Sequence, residues 1–435
     1  MMSLSAALLM EPSDQRQYRK NITIIGVFFF IFGFITWINA TLIPYLRIAC
    51  ELKEWEAYLV TFAFYISYTV MAIPSSRLLQ RTGMIKGMSI GLAVMGLGCL
   101  IFIPAAVTRQ YSLFLTGLVF AGGGLTLLQT AVNPYITFLG PENSAAKRIS
   151  IMGICNKTAG ILAPWIMSNI ILKDSGGLLD QLKQMNAEEK KARLDALSQT
   201  VITPYICLSA ILFLIALLIR YAHLPELKTS SGPQTSTGEN KPLGKAVRTQ
   251  YILGFTAIFF AVGCEVMSGD TIGNYGLYHG INLDISKHLA SYPLTAMMIG
   301  YITGVVCIPK YISRQKAFSF SCRLGLFITP LIVILPGRFS IACVALLGLA
   351  NAMLWPAIWP QALKGLQGKA LAKGSAILIM AIAGGALMPL TYGWLSTIIN
   401  NQYAYLLLLP AYLYLLYYSG VAKREMNLSQ KTSNA

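Results

Sequence analysis

The chain is 435 residues long, 55% hydrophobic and only 12% charged, with a mean hydropathy of +0.59. A soluble domain carries about twice that charged fraction; so few charges cannot coat a water-soluble surface of this size, and the composition is that of an integral membrane protein. The net charge of +17 does not point to nucleic acid, because the basic residues are scattered among short loops and not gathered on one face.

In chain order, residues 1–21 include Glu11, Asp14 and Arg16, lack a signal-peptide pattern, and read as a cytoplasmic tail. Apolar stretches long enough to cross roughly 30 Å of hydrocarbon then fall at 22–48, 56–78, 85–106, 111–139, 149–172 and 201–222. A second set follows at 250–278, 289–312, 317–336, 339–363, 374–399 and 403–420. Residues 173–200, polar and rich in helix formers, predict a short amphipathic helix between the fifth and sixth spans. Residues 223–249, rich in Ser, Thr, Gly and Pro, predict a linker between two six-helix bundles at 22–222 and 250–420, and 421–435 is a second tail. Most Lys and Arg fall in the loops that share a side with both termini, among them Arg77, Arg81, Lys86, Lys241, Lys245, Arg248, Arg314 and Lys316. That bias predicts cytoplasmic termini.

Polar groups inside these spans are the candidates for function, since an ionisable residue at the centre of a span costs roughly 2.5–3.5 kcal/mol unless paired or wet. Asn39 lies in the first span. Gln129 and Asn133, four apart, share one face of the fourth span, and their amides suit a polyhydroxylated ligand as well as they suit helix–helix bonding. Asn156 and Lys157 lie in the fifth, where a structural lysine neutralised by one carboxylate is the alternative to a functional one. Glu265 and Asp270 in the seventh are five apart and so point about 140° away from each other; one of them is expected to pair with Lys157 and the other to face a cavity. Asn274 is a weaker binding candidate. Trp355 and Trp359, four apart in the tenth span, offer faces for sugar-ring stacking or for lipid packing.

The halves repeat each other weakly. Phe30, Gly33, Thr41 and Tyr45 match Phe260, Gly263, Thr271 and Tyr275, and Ser150, Gly160, Leu162 and Pro164 match Ser375, Gly385, Leu387 and Pro389. In this register Asn156 and Lys157 fall on Ala381 and Ile382, so the scaffold itself does not require polar residues there, and Ala40 falls on Asp270. The fold class is an all-α membrane protein of twelve helices in two pseudosymmetric six-helix bundles, an organisation in which solute sites lie at mid-depth between repeats. The eight cysteines show no pairing or CxxC pattern, His223, His279 and His288 fall at span ends, and no nucleotide-binding, hydrolase or metal-ligand motif is present. No catalytic residue, resident cofactor or metal is expected.

The stretches FGFITWINATLIPYL at 32–46, QTAVNPY at 129–135 and ISIMGICNK at 149–157 resemble the fucose–proton symporter family of the major facilitator superfamily. VGCEVMSGDTI at 262–272 and WPAIWP at 355–360 resemble its glucose/galactose branch, and the likeness runs over about residues 20 to 420. It implies alternating-access import of a monosaccharide, a hexose such as glucose or galactose, with a cotransported ion, usually H+ and in some members Na+. It also implies a bacterial inner membrane and a monomer in the bilayer. The family's span-one carboxylate falls on Ala40 and its span-four carboxylate on Gln129, neither of which binds a proton; the family's span-five Asn is kept as Asn156. These departures leave an uncoupled facilitator, or a carrier of another polar or anionic solute held by Lys157, as alternatives. They also suggest that the titrating carboxylate has moved to the pseudosymmetric Asp270, with Lys157 setting its pKa.

Overall fold

The structure, a computed structural model, describes residues 12–138, 145–173, 177–221, 245–308, 311–366 and 368–433. The expected linker thus lies largely outside the described residues, as does His223. Helices dominate. The first half holds spans at Pro12–Trp37 with Asn39–Ala49, Leu59–Thr82, Met84–Thr108, Tyr111–Phe138, Ala145–Ile171 and Ile202–Tyr221. The second holds Lys245–Asp270 with Ile272–Tyr278, Ser291–Cys307, Arg314–Ile334, Gly337–Asn351 with Leu354–Ala362, Gly368–Met380 with Gly384–Ile398, and a last span running from Tyr403 to Ser433. Among the described residues eleven helices are long and apolar enough to cross a membrane. The fifth span is 27 residues long, and Asn156 and Lys157 at its centre set it apart from those eleven. With it the described residues hold twelve transmembrane helices in two six-helix bundles.

Small residues decide how closely these helices approach, because apolar side chains gain nothing by leaving lipid for each other and backbone contact must supply the attraction. In the first half a Cβ on Gly33 would lie 2.0 Å from the Asn156 carbonyl oxygen; in the second, a Cβ on Gly384 would lie 1.8 Å from that of Phe259. The first and fifth spans and the seventh and eleventh are therefore each packed backbone to backbone, with the glycine on the first span in one pair and on the eleventh in the other. The first and seventh spans are also broken at related points, beside Ile38 and Thr271.

The repeat fails in an informative place. The fifth span runs as one helix past Asn156 and Lys157, whereas the matching stretch of the eleventh, Ala381–Ala383, is a 3-10 turn. The tenth span is likewise interrupted between Asn351 and Leu354, while its counterpart, the fourth, is continuous to Phe138.

Because the span number is even, the first and last described residues lie at one end of the bundle. At the opposite, far end the segment 173–200 folds as two helices where one was expected, Leu178–Gln184 and Ala187–Gln199. Asn186 caps the second, its side chain accepting from the Glu189 N–H while Glu189 bonds back. Arg109 to Asp195 at 3.1 Å and Lys190 to Glu51 at 2.6 Å tie this helix over the ends of the first and third spans.

Candidate functional site

The two halves are joined by hydrogen bonds that run from mid-depth to the far end. Thr69 donates to the Met380 carbonyl at 3.1 Å and Ser291 to that of Ile161 at 3.0 Å. At the far end itself, Ser168 and the His288 ring are 3.0 Å apart and Lys287 donates to the Leu172 carbonyl at 2.9 Å. The Tyr58 ring lies against Gly393, where a Cβ would come within 2.2 Å of it. The far end is sealed.

At mid-depth the seam carries charge. Lys157 of the fifth span, 5% exposed, donates from Nζ to Oε1 of Glu265 on the seventh. The ammonium also stands 5.0 Å from the centroid of the Trp37 ring, a cation–π distance. That ring is clamped from both halves: a Cβ on Gly160 would lie 2.6 Å from it and one on Gly269 2.3 Å. Two glycines on opposing helices thus make the slot that places an indole beside the ion pair. Tyr65 and Tyr301 are within electrostatic reach of the Glu265 carboxylate. Tyr68 stacks on Tyr65 with centroids 6.1 Å apart and receives a hydrogen bond from the Gln129 amide at 3.2 Å. Asn133, one turn beyond Gln129, is half-buried.

The expected divergence of the two acids is present. Glu265 takes Lys157; Asp270 is 1% exposed and receives the Thr61 hydroxyl of the second span at 2.9 Å. The idea that Lys157 sets the protonation of Asp270 is corrected by this geometry: the ammonium is bound to Glu265, because the five-residue spacing turns Asp270 to a different side of the helix.

Other candidates disperse. Asn39 is fully buried and lines a small cavity with Ile35, Phe64, Phe102, Leu118 and Tyr205, inside the first bundle and not on its face toward the second. It stands two residues after Trp37, about 200° around the helix, so the same turn that sends the indole into the seam sends the amide away from it. Asn156 donates to the Phe29 carbonyl at 3.3 Å, a bond within the first half. Trp355 and Trp359 stack on each other, centroids 5.0 Å apart and planes 19° from parallel, and both are half-buried. Asn274 is buried near the far end beside Tyr58. Trp37, Tyr65, Tyr68 and Thr61 escaped the sequence reading: aromatic and hydroxyl residues are ordinary in apolar helices, and only the pairing of spans reveals what they face. All eight cysteines are free.

Comparison with known proteins gives a consistent picture. Residues 23–388 match the family model of the Major Facilitator Superfamily. The chain is 30% identical over 419 residues to a glucose/galactose transporter of Brucella abortus biovar 1 (strain 9-941), covering 95% of this chain and 97% of that one. It is 26% identical to the L-fucose-proton symporter of Escherichia coli (strain K12), covering 90% of each. Among solved structures it resembles the Major Facilitator Superfamily transporter FucP in the outward conformation, with a TM-score of 0.71 at 24% identity over 93% of this chain and 99% of that one.

Proposed function

This chain belongs to the Major Facilitator Superfamily, and from that premise we propose that it is a secondary active transporter importing a monosaccharide by alternating access. The hexoses glucose and galactose, or a close relative, are the solutes, and a cation, H+ or Na+, moves with them. The observation that carries this reading is the ion pair of Lys157 and Glu265, set between the halves at mid-depth and ringed by Trp37, Tyr65, Tyr301 and the Tyr68–Gln129 pair. Hydroxyls, amides and a carboxylate bond sugar hydroxyl groups, and aromatic faces cover the apolar C–H faces of the ring. Trp37, Tyr65 and Lys157 of the first half meet Glu265 and Tyr301 of the second, so solute contact and conformation are linked through residues on both sides of the seam. Relatives that carry glucose and galactose point to the same solute class.

Lys157 as counter-charge for an anionic solute is disfavoured, because its charge is already met by Glu265. The uncoupled facilitator stays as the second reading, since Ala40 and Gln129 stand where the fucose symporters carry acids. The basic loops and the bacterial origin of the relatives support a bacterial inner-membrane protein with both termini in the cytoplasm, working as a monomer. With that orientation the far end is periplasmic and the structure is the form closed to the outside.

The test is uptake by proteoliposomes offered glucose, galactose, mannose, fucose and N-acetylglucosamine, under H+ and Na+ gradients imposed separately. Accumulation of one hexose above equilibrium under one gradient is expected. Equilibration that ignores both gradients selects the facilitator, and uptake of none of the five ends the sugar reading.

A further inference from the structure

Five residues beyond Glu265 the seventh span meets an environment of a different kind. Asp270 has Oδ2 bonded by Thr61 at 2.9 Å, and Oδ1 has no hydrogen-bond partner. None of the ion pairs among the described residues includes Asp270. One turn further, Asn274 is 1% exposed and neither its amide oxygen nor its nitrogen is bonded. The Tyr58 hydroxyl, fully buried, faces the Asn274 amide in at most a loose contact and lies within electrostatic reach of Asp270. A buried polar group without a partner costs roughly 1–3 kcal/mol, and more if charged. Tyr58 and Asn274 can at most bond each other, and Asp270 Oδ1 is left over, so the group as a whole calls for a further partner.

We infer that Asp270, Asn274, Tyr58 and Thr61 form the binding site of a dehydrated monovalent cation, sodium. Four features favour that occupant. The available donors are all oxygen, namely a carboxylate, an amide carbonyl, a phenol and an alcohol, the set a hard cation takes. One carboxylate and one single positive charge leave the buried site neutral, whereas a divalent ion leaves an excess charge in an apolar interior. A proton on Asp270 also neutralises the acid but supplies a single donor, whereas a cation engages several oxygens at once. Finally, Tyr58, which leads into the second span, and Thr61 within it belong to the first half while Asp270 and Asn274 belong to the seventh span, so the site is complete only when the halves are closed at the far end. Cation binding and sealing of that end are then one event, and parting the helices there divides the ligand set.

The use of this ion for coupling rests on the transport reading above; its binding does not. The experiment therefore contains no sugar. The full-length protein in detergent is unfolded by heat in sodium, potassium or choline chloride at equal ionic strength. The wild type is expected to gain stability saturably with sodium and not with the other two, as a ligand that binds only the folded state requires. Asp270→Asn loses the sodium shift, and Asn274→Ala and Tyr58→Phe each weaken the apparent sodium affinity about tenfold, the effect of one good contact. Identical responses to the three salts, or an unchanged sodium shift in Asp270→Asn or in both milder variants, overturn the site. A sodium-binding protein that takes up no hexose leaves the site standing and removes the sugar reading; hexose uptake on a proton gradient without any sodium shift does the reverse.

Discussion

The seventh span presents two acids to two layers of the same seam, and the layers solve the problem of a buried charge differently. At mid-depth Glu265 keeps some exposure and is matched by a full opposite charge, Lys157, itself packed over an indole. Near the far end Asp270 is closed off and receives one neutral hydroxyl, with orphaned polar groups around it. A paired acid in a partly open layer is complete as it stands and exchanges its partner only for something that can replace a lysine. An unpaired acid in a sealed layer is incomplete, and its neutrality must come from outside the chain. On the two proposals above, the difference separates solute chemistry at mid-depth from ion chemistry at the far end, on a single helix.

Removing the lysine breaks this contrast most severely. Lys157→Met leaves Glu265 without its counter-ion, and stripping one partner from a buried pair costs about 3–5 kcal/mol. Lys157→Met combined with Glu265→Gln removes both charges and is expected to recover most of that stability while leaving uptake abolished. Thermal unfolding in detergent together with hexose uptake tests both statements; equal instability of the single and double variants would show that packing, not charge, holds the layer. The opposite sign is expected at the other acid. Asp270→Asn replaces a buried carboxyl that no positive side chain matches with a neutral amide of the same shape, so in sodium-free buffer the variant unfolds at the same temperature as the wild type or above it. A fall of several degrees there would mean that the Asp270 charge is already satisfied.

A smaller effect is expected at the indole that both halves grip. Trp37→Phe keeps an aromatic face near Lys157 but underfills the slot between Gly160 and Gly269. The cation–π share is about 0.5–2 kcal/mol, and its partial loss is expected to raise KM for the hexose several-fold with little change in the sodium response. A changed sodium midpoint with an unchanged KM would place Trp37 in the ion layer.

The fold was readable because its causes are local: span length, Gly placement and the charge of loops are carried by each segment alone. Lys157, Glu265 and Asp270 were readable too, since charge in an apolar helix is costly wherever the helix goes, and helical pitch alone forces the two acids apart. What the residues face was not readable. Asn39 and Trp37 are near neighbours in the chain, and only the packing of the seventh span against the first shows that the indole enters the seam and the amide turns back into its own bundle. Thr61 and Tyr58, unremarkable in sequence, acquire meaning from an acid more than two hundred residues away. Long-range pairing of helices is a property of the whole bundle, and no period within one helix encodes it.

The smallest and most selective change is Thr61→Val, which keeps the shape of the side chain and deletes the hydroxyl that bonds Asp270 Oδ2. Loss of one such bond is worth about 1 kcal/mol if the acid is otherwise unsatisfied, and the midpoint of unfolding without sodium is expected to fall by only a few degrees. If a cation completes the layer, Thr61 is one of its oxygen donors, and the cost should grow as sodium is added because the variant then also forfeits part of the ligand's stabilisation. The wild-type and variant curves of stability against sodium concentration should therefore diverge. Parallel curves would mean that the hydroxyl only bridges the two halves and takes no part in holding the ion, leaving Asp270, Asn274 and Tyr58 to define the far layer by themselves.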